Sequence, residues 1–331
     1  MASAPDMTEA RKGSAQGGMV AVTGATGFLG RRLVKILTEQ GWTVRILARR
    51  DVADPVWSGL EPELVIGDLA NAPAMTALCD GAEAVVHVAG LIKARDRAAF
   101  DRANVEGSRQ VASAAKAAGA RLILVSSLAA REPQLSDYAA SKRGGEDAAR
   151  EIFGSDLTIV RPPAIYGPGD IETLRLFKMA SESAFLPVLD PKARMVWIHV
   201  DDAAAQIADL VKTPRPGLLS LSDARLEGYG WVELMETASK AVGASPRLIR
   251  IPSGMVKALA VLSKWASVVT GKDTILTPGK ARELLHADWS LSSNDPIPDF
   301  PRVRYPLDAG FAQSVGWYRS EGWLKDISAR K

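Results

Sequence analysis

The stretch Thr23-Gly24-Ala25-Thr26-Gly27-Phe28-Leu29-Gly30 decides the fold of this chain. It directly follows a short apolar run, MVAVT at 19–23, and it opens a segment with helical spacing of apolar residues. In such a unit the first glycine makes a tight turn, the second lets backbone approach a pyrophosphate, and the third lets helix and strand pack closely. The helix N-terminus offers N–H groups to the phosphates. We therefore predict a dinucleotide site here; the alternative is a sharp turn without a ligand.

Short apolar runs alternate with helical stretches from residue 19 onwards. The runs are rich in Val, Ile and Leu and end in polar or Gly residues, which is typical of buried strands. Strands that alternate with helices form a parallel sheet with helices on both faces, so the chain is predicted to be an α/β protein with a doubly wound sheet. The predicted strands are MVAVTG (19–24), TVRILAR (43–49), ELVIGD (63–68), AVVHVAG (84–90), RLILVSS (121–127) and LTIVRPP (157–163). Helices are predicted at 28–40, 97–118 and 138–153.

The alternation weakens after about Tyr166, and this change predicts the domain organisation. Residues 1–18 are polar and rich in small residues, and we expect a disordered tail. A nucleotide-binding domain is predicted at 19–165 and a smaller, mostly helical substrate lobe at 166–331, with a late strand near 217–222 that returns to the sheet. Since ligands bind at the carboxyl ends of strands in open α/β sheets, the second lobe is expected to cover that edge.

Composition excludes several classes of protein. The 331 residues carry 41 Lys and Arg against 38 Asp and Glu, and this excess of +3 is too small to indicate a nucleic-acid partner. One cysteine, Cys79, and three histidines exclude a cysteine cluster and an intrachain disulfide, so no metal site is predicted. No signal peptide and no bilayer-spanning apolar run are visible, which favours a cytoplasmic protein. The oligomeric state is left open.

Residues after the second and third strands bear on the choice of nucleotide. A carboxylate after the second strand binds the ribose 2′-OH of NAD, whereas arginine suits a 2′-phosphate. This chain has Arg49 and Arg50 there, so NADP(H) is favoured and NAD(H) is the alternative. The alternative for both arginines is that they are ordinary solvated surface charges without a ligand. Asp68 and Leu69, after the third strand, are expected to lie beside the adenine ring of the cofactor. The alternative is that Asp68 is only a helix cap.

A tyrosine and a lysine mark a candidate reacting centre. Tyr138 and Lys142 lie four residues apart, on one face of a predicted helix. A free phenol titrates near pH 10, and a neighbouring ammonium favours the phenolate, so we expect Lys142 to lower the pKa of Tyr138. Such a phenol exchanges a proton with a carbonyl oxygen as hydride is transferred. Ser126 and Ser127 end the fifth predicted strand, where a hydroxyl would hold the reacting oxygen.

Together these motifs resemble the extended short-chain dehydrogenase/reductase family over nearly all of 19–324. The resemblance implies a Rossmann fold, a nicotinamide cofactor, Tyr138 as general acid/base, Lys142 on the nicotinamide ribose and Ser127 on the substrate oxygen, with Ser126 still open. The matching stretches are TGATGFLG, GDL, VVHVAG, NVEGS, LILVSSLAA, YAASK, RPPAIYGPGD, WIHVDDAA and GWYRSEGWL. Further residues implied to line the cofactor or shape the site are Gly24, Thr26, Gly27, Phe28, Leu29, Gly30, Val88, Ala89, Gly90, Asn104, Pro162, Pro163 and Ala164.

Departures from the family pattern favour one branch of it. Only ten residues separate Ser127 from Tyr138, whereas nucleotide-sugar epimerases and dehydratases have a longer loop. The chain also resembles the nucleotide-carrying accessory subunit of respiratory complex I, but it keeps the Tyr138/Lys142 pair that this group tends to lose. In the strings TPGKARELLHADW (277–289) and GWYRSEGWL (316–324) it further resembles bacterial reductases of lipid intermediates. We therefore expect a ketone reductase acting on a hydrophobic substrate such as a 3-keto sphingoid base or ceramide; the alternatives are an epimerase with tightly held NAD and a non-catalytic nucleotide-binding subunit.

The segment 253–270 has the spacing of an amphipathic helix. Met255, Leu259 and Leu262 share one predicted face, and Lys257 and Lys264 lie opposite. One interpretation is a helix packed within the second lobe. The other is peripheral contact with the inner face of a membrane, with the lysines among anionic headgroups.

Two histidines and two aspartates are predicted to be structural. His87 and His199 stand in family-like strings, and we interpret both as buried structural residues. Asp201 and Asp202 precede a helical stretch, where carboxylates cap an N-terminus and suit its dipole.

Overall fold

Short strands and helices alternate in the computed structural model, which describes residues 17–50, 57, 59–270, 276–292, 295–297 and 303–325. Except for Gly17 and Gly18, the tail predicted to be disordered lies outside the described residues. The strands are β1 (Met19–Thr23), β2 (Thr43–Ala48), β3 (Glu63–Ile66), β4 (Ala82–His87), β5 (Arg121–Val125), β6 (Thr158–Arg161), β7 (Ala164–Tyr166), β8 (Phe185–Val188), β9 (Arg194–Met195), β10 (Trp197–His199), β11 (Gly217–Ser220), β12 (Arg247–Arg250) and β13 (Asp288–Trp289).

Most helices begin at a side-chain or glycine cap. They are α1 (Phe28–Glu39), α2 (Ala72–Cys79), α3 (Arg97–Phe100), α4 (Gly107–Ala117), α5 (Asp137–Phe153), α6 (Ile171–Glu182), α7 (Val200–Lys212), α8 (Trp231–Val242), α9 (Ser253–Thr270), α10 (Pro278–Leu285) and α11 (Leu307–Ser320). A π-helical turn, Asp101–Glu106, joins α3 to α4, so the helix predicted at 97–118 is one continuous rod with a local widening.

Seven parallel strands form the main sheet, in the spatial order β11-β6-β5-β4-β1-β2-β3. All six strands predicted from apolar runs are present, and β11 lies beside β6 at one edge. The strand order reverses direction at β1, which is where doubly wound sheets open a crevice for ligands. The predicted α/β fold with a doubly wound parallel sheet is confirmed.

Alternate residues of each strand point to opposite sides of the sheet, and both faces of its central strands are buried. In β1, Val20 and Val22 pack into a core with Leu33 of α1 and Ile207 of α7. Ala21 points the other way, into a second core that α2, α4 and α5 close. This accounts for the nearly continuous apolar runs that the strands show in sequence.

A third core holds the second lobe together. It is formed mainly by α6, α8 and α11, and its largest buried rings include Phe177, Phe311 and Tyr318. Apart from the main sheet, the described residues form three parallel two-stranded ladders: β7–β10, β8–β12 and β9–β13. The boundary at 165/166 stays a prediction, and two later elements, α7 and β11, pack with the sheet.

Helix α9 packs against the second-lobe core through a narrow strip of its surface. Val256 and Ala260 are buried in the second-lobe core, whereas Met255, Leu259 and Leu262 are exposed. Helix α9 therefore packs within the second lobe, as one interpretation predicted, but it does so through Val256 and Ala260 and leaves the predicted apolar face exposed. Within the described part of the chain, no helix is both long and apolar enough to cross a membrane.

Candidate active site

The carboxyl ends of the central strands meet at one edge of the sheet, and the predicted site residues gather there. The glycine loop follows β1, Val88–Gly90 follows β4, Ser126 and Ser127 follow β5, and Pro162 follows β6. Because β1, β4, β5 and β6 are neighbours in register, these four segments line one crevice.

The glycine loop leaves space where a dinucleotide phosphate would lie. Gly24 has φ +71°, and a Cβ there would stand 2.5 Å from the Ala89 amide nitrogen, so only glycine fits. A Cβ at Gly30 would stand 2.1 Å from the Gly24 carbonyl oxygen. Gly27 is exposed and begins α1, and among the described residues no side chain caps that helix. The first amides of α1 are therefore available, and the loop fits a pyrophosphate.

Other residues of this loop contribute in different ways. The Leu29 side chain is buried in the core, so only its backbone can face a nucleotide. Phe28 packs partly against the same core, and Thr26 is half-buried. The Arg31 guanidinium donates to the Thr26 carbonyl oxygen at 2.9 Å. Sequence reasoning missed Arg31, although it directly follows the third glycine.

The ends of β2 and β3 present exposed polar groups. Arg49 and Arg50 follow β2 and are exposed. Asp68 is exposed after β3, and its carboxylate accepts from the Ala70 amide at 2.9 Å. Asn71, which accepts from the Ala74 amide, caps α2. The alternative interpretation of Asp68 as the helix cap is therefore wrong; it shapes the turn before Asn71. Leu69 is half-buried and packs against the core on that face of the sheet.

Helix α5 carries the predicted catalytic pair. Its N-cap is Ser136, which accepts from the Ala139 amide, so Tyr138 lies in the first turn and Lys142 one turn later. The Tyr138 phenol lies beside the Ser127 side chain, which opposes the rise in the phenol pKa, and the ring packs 6.1 Å from the Phe100 ring. The helix and the end of β5 thus bring a phenol and a hydroxyl to one point.

Burial sets the protonation of this pair. Burial raises the pKa of Tyr138 to about 12, with Ser127 opposing the rise. The expected lowering of the Tyr138 pKa by Lys142 is therefore wrong for this structure, in which the ammonium donates to the Val125 carbonyl oxygen at 2.8 Å. Burial also lowers the pKa of Lys142 to about 8, and Glu146 opposes this change. At neutral pH the phenol keeps its proton and the lysine is charged.

The two candidate serines have different surroundings. Ser126 is buried and donates to Glu146 Oε1 at 2.6 Å. Glu146 is fully buried and binds the Arg161 guanidinium through two hydrogen bonds, of 2.8 and 2.6 Å. Ser126 is thus engaged behind the crevice, whereas Ser127 is half-buried beside Tyr138. Sequence reasoning missed Glu146 and Arg161; the spacing of Glu146, four residues after Lys142, was the available signal.

Asn104 secures the loop after β4. In the π-helical turn it is buried, and its amide group both donates to and accepts from the Leu91 backbone, at 3.0 and 2.8 Å. It also donates to Ser141 Oγ at 2.8 Å. A Cβ at Gly90 would lie 3.0 Å from Asn104 Oδ1 and 3.5 Å from Lys142 Nζ, so the loop passes directly beside the lysine. Asn104 therefore acts as a positioning residue.

The remaining predicted cofactor residues line the same crevice. Val88 and Ala89 are half-buried, and the Val88 amide donates to the Thr23 carbonyl oxygen. Pro162 is buried and its carbonyl oxygen accepts from the Leu128 amide at 2.8 Å, which joins β6 to the turn that begins at Ser127. Pro163 is half-buried, and Ala164 is exposed where β7 begins.

The histidines and aspartates have structural partners. His87 is buried against the Thr23 hydroxyl at 2.7 Å, and burial lowers its pKa to about 3. His199 caps α7 by accepting from the Asp201 amide. Asp202 is buried and accepts from the amides of Arg304 and Tyr305, so the interpretation of Asp202 as a cap of its own helix is wrong.

The second lobe touches α5, the helix that carries Tyr138, through α10. Glu283 of α10 is buried and accepts a hydrogen bond from Ser136, the cap of α5. Arg282 donates to the Leu135 carbonyl oxygen at 2.7 Å. The Glu283 charge contributes to the raised pKa of Tyr138. Sequence reasoning missed this contact, because it joins residues almost 150 positions apart.

Known proteins share this sequence and architecture. Residues 20–218 match the model of the "NAD dependent epimerase/dehydratase family". The chain is similar to a ceramide reductase of Caulobacter vibrioides, with 54% identity over 314 residues that cover 94% of this chain and 98% of that protein. It is also similar to the 40 kDa subunit of mitochondrial NADH-ubiquinone oxidoreductase of Neurospora crassa, with 28% identity over 269 residues that cover 78% and 71% of the two chains.

A solved structure shows the same fold. It is a dTDP-glucose 4,6-dehydratase from Streptomyces venezuelae with NAD bound, which superposes with a TM-score of 0.66 at 22% identity and covers 93% of this chain and 99% of that one. At such low identity the likeness concerns the fold alone. Together with the sequence similarities, it confirms the resemblance predicted from the motifs.

Proposed function

Because the chain belongs to the NAD dependent epimerase/dehydratase family, we propose that it reduces a ketone on a lipid to a secondary alcohol. It is an NAD(P)-dependent enzyme of the extended short-chain dehydrogenase/reductase type. The proposed substrate is the 3-keto group of a ceramide or sphingoid base, and the proposed cofactor is NADP(H). The observation that carries this proposal is the position of the buried Tyr138 phenol, which lies beside Ser127 and one helical turn from Lys142.

The side chains of the crevice divide the chemistry among them. A nicotinamide bound here would supply a hydride to the carbonyl carbon. Ser127 holds the carbonyl oxygen, and Tyr138 gives that oxygen its proton as negative charge develops there. With a pKa of about 12 the phenol is protonated at neutral pH, which suits the direction of reduction. The Lys142 ammonium would hold the nicotinamide ribose, and the first amides of α1 would hold the pyrophosphate.

Apolar side chains around the mouth of the crevice support a lipid substrate. Leu91 and Ile92 follow β4, and Ile171 begins α6; all three are exposed. An exposed ion pair joins Lys93, next to Ile92, to Glu172, next to Ile171, which brings the two segments with their apolar side chains near each other. An acyl chain would bury this surface, which is favourable. The similarity to a ceramide reductase supports the same substrate class.

Guanidinium groups support NADP(H) as the cofactor. Arg49 and Arg50 are exposed at the end of β2, where an NAD-preferring protein places a carboxylate. A guanidinium matches the geometry and charge of a phosphate through paired hydrogen bonds. The 2′-phosphate of NADP(H) would lie against these two side chains.

Replacing Tyr138 by phenylalanine tests the proposed chemistry. Tyr138→Phe removes the transferable proton and keeps the ring, so turnover of a 3-keto ceramide should fall by about a hundred- to ten-thousand-fold. NADPH affinity, measured by calorimetry, should stay nearly unchanged. Tyr305→Phe removes a hydroxyl from the second lobe and serves as the matched control. If Tyr138→Phe keeps most of the NADPH consumption, the assignment of Tyr138 is wrong.

A further inference from the structure

Helix α9 directs large apolar side chains away from the protein. Among its described side chains only Val256 and Ala260 are buried, while Leu262 is 64% and Trp265 70% exposed. At 3.6 residues per turn, Leu262 and Trp265 lie opposite the buried pair. The other exposed large apolar residues of this helix are Met255, Leu259 and Val261. A continuous apolar surface of this kind marks an interaction site rather than an ordinary exterior.

The same part of the chain is strongly basic. Between Glu236 and Asp273 the sequence has six basic residues and no acidic one, although the whole chain carries an excess of only +3. The basic residues are Lys240, Arg247, Arg250, Lys257, Lys264 and Lys272. Arg247 and Arg250 are exposed on β12, immediately before α9, and Lys257 lies on the flank of its exposed apolar arc. The surface therefore pairs apolar side chains with positive charge.

Contacts between elements connect this surface to the catalytic helix. Helix α9 packs against α10, and α10 reaches the start of α5 through Glu283, which accepts from Ser136, and through Arg282, which donates to the Leu135 carbonyl oxygen. Only one short helix therefore separates α9 from the segment that carries Tyr138. A lipid that leaves a bilayer at α9 is close to the crevice.

We propose that α9, together with β12, docks the protein on the surface of an anionic lipid bilayer. Leu262 and Trp265 enter the interface between headgroups and acyl chains, and Arg247, Arg250 and Lys257 remain at the level of the headgroup phosphates. No acidic residue of this segment opposes that charge, so the electrostatic match is with a negative surface. The inference rests on the proposed function for its purpose, since a ketone carried on acyl chains resides in a membrane, but the binding itself does not require turnover.

Co-sedimentation of the full chain with vesicles tests the docking. The protein should sediment with vesicles that contain phosphatidylglycerol, and much less with phosphatidylcholine alone, and added salt should release it. Leu262→Gln combined with Trp265→Gln should lower the coefficient for partition onto these vesicles by at least about tenfold. Glutamine is a good helix former, so α9 should be kept. Lys257→Glu should lower binding to anionic vesicles only.

Matched variants elsewhere separate docking from general effects on the surface. Leu64→Thr with Ile66→Thr changes two exposed apolar residues on the edge strand β3, and Lys178→Glu reverses an exposed charge on α6. Both controls should bind vesicles as the unmodified protein does. The α9 double variant should still reduce a short, water-soluble ketone at the original rate.

The outcomes for docking and for catalysis are distinguishable. Unmodified protein that stays in the supernatant with anionic vesicles at low ionic strength overturns the docking proposal, whatever its turnover. The same holds if light scattering shows a dimer that the α9 double variant dissociates, because the surface then belongs to a second copy. Protein that binds anionic vesicles through α9 but reduces no ketone supports the docking and contradicts the proposed function.

Discussion

Tyr138 and Lys142 show that burial, more than the neighbouring charge, sets the protonation of the reacting centre. The spacing of the two residues predicted a lowered phenol pKa, yet burial raises the Tyr138 pKa to about 12. The Lys142 ammonium donates a hydrogen bond to the Val125 carbonyl oxygen, and burial lowers the pKa of Lys142 to about 8. A protein in this state holds a proton ready for a carbonyl oxygen, as reduction requires.

The Lys142 pKa predicts a pH dependence. Lys142 is charged below about pH 8 and neutral above it, so kcat/KM for NADPH should fall as pH rises through that value, by up to about tenfold per pH unit. The nearby buried His87 does not titrate in that range, since its pKa is about 3. In Lys142→Met the constant should be low and should not fall near pH 8. A fall that begins only near the ordinary lysine pKa would contradict this role of burial.

Replacing Arg49 and Arg50 tests whether the protein prefers NADPH to NADH. Charge-assisted hydrogen bonds contribute about 1.5–3 kcal/mol each, so Arg49→Ala with Arg50→Ala should weaken NADPH at least about tenfold. NADH, which lacks the 2′-phosphate, should lose much less affinity. Titration calorimetry with both nucleotides measures the difference, and Arg97→Ala, on α3, is a control for lost surface charge. Equal affinity of the unmodified protein for NADH and NADPH would refute a phosphate site at these arginines.

At the scale of elements, α5 organises the site through one residue in each of three successive turns. Tyr138 faces the crevice, Lys142 reaches the end of β5, and Glu146 binds Arg161 of β6 and Ser126. The spacing of Tyr138 and Lys142 made them predictable from sequence. The spacing of Glu146 placed it on the same face of the helix, but its partners Ser126 and Arg161 were not predictable, because they come from other elements and only tertiary packing brings them together.

The buried Glu146–Arg161 pair predicts a large change in stability. Arg161→Met should leave Glu146 buried and unpaired and should lower the free energy of unfolding by about 3–5 kcal/mol. Glu146→Leu combined with Arg161→Met should restore most of this loss, because apolar replacement of a whole buried pair is often nearly neutral. Urea unfolding monitored by circular dichroism measures both.

An exposed ion pair provides the comparison for that experiment. Arg97 and Asp101 pair at 2.7 Å on the surface, and Arg97→Met should change stability by no more than about 1 kcal/mol. If Arg161→Met is equally mild, the buried network does not hold α5 against β5 and β6.

At the scale of the whole molecule, the sequence predicted the sheet much better than the second lobe. The strands of the sheet are apolar runs buried on both faces, so each can be recognised locally. The ladders β7–β10, β8–β12 and β9–β13 have two to four residues per strand, and each strand pairs with a segment 30 or more residues away. Asp202 illustrates the same difficulty, since its partners lie about a hundred residues further along the chain.

In the proposed reaction, NADPH bound in this crevice would reduce a lipid ketone, and Tyr138 would supply the proton. The most direct measurement uses NADPH with deuterium at the transferable position and a 3-keto ceramide in mixed vesicles, followed by mass spectrometry of the lipid. The unmodified protein should yield a 3-hydroxy lipid that carries one deuterium on the reduced carbon, and Tyr138→Phe should yield almost none. Folded protein that binds NADPH yet yields no labelled alcohol, or a Tyr138→Phe variant that yields as much as the unmodified protein, would contradict the account.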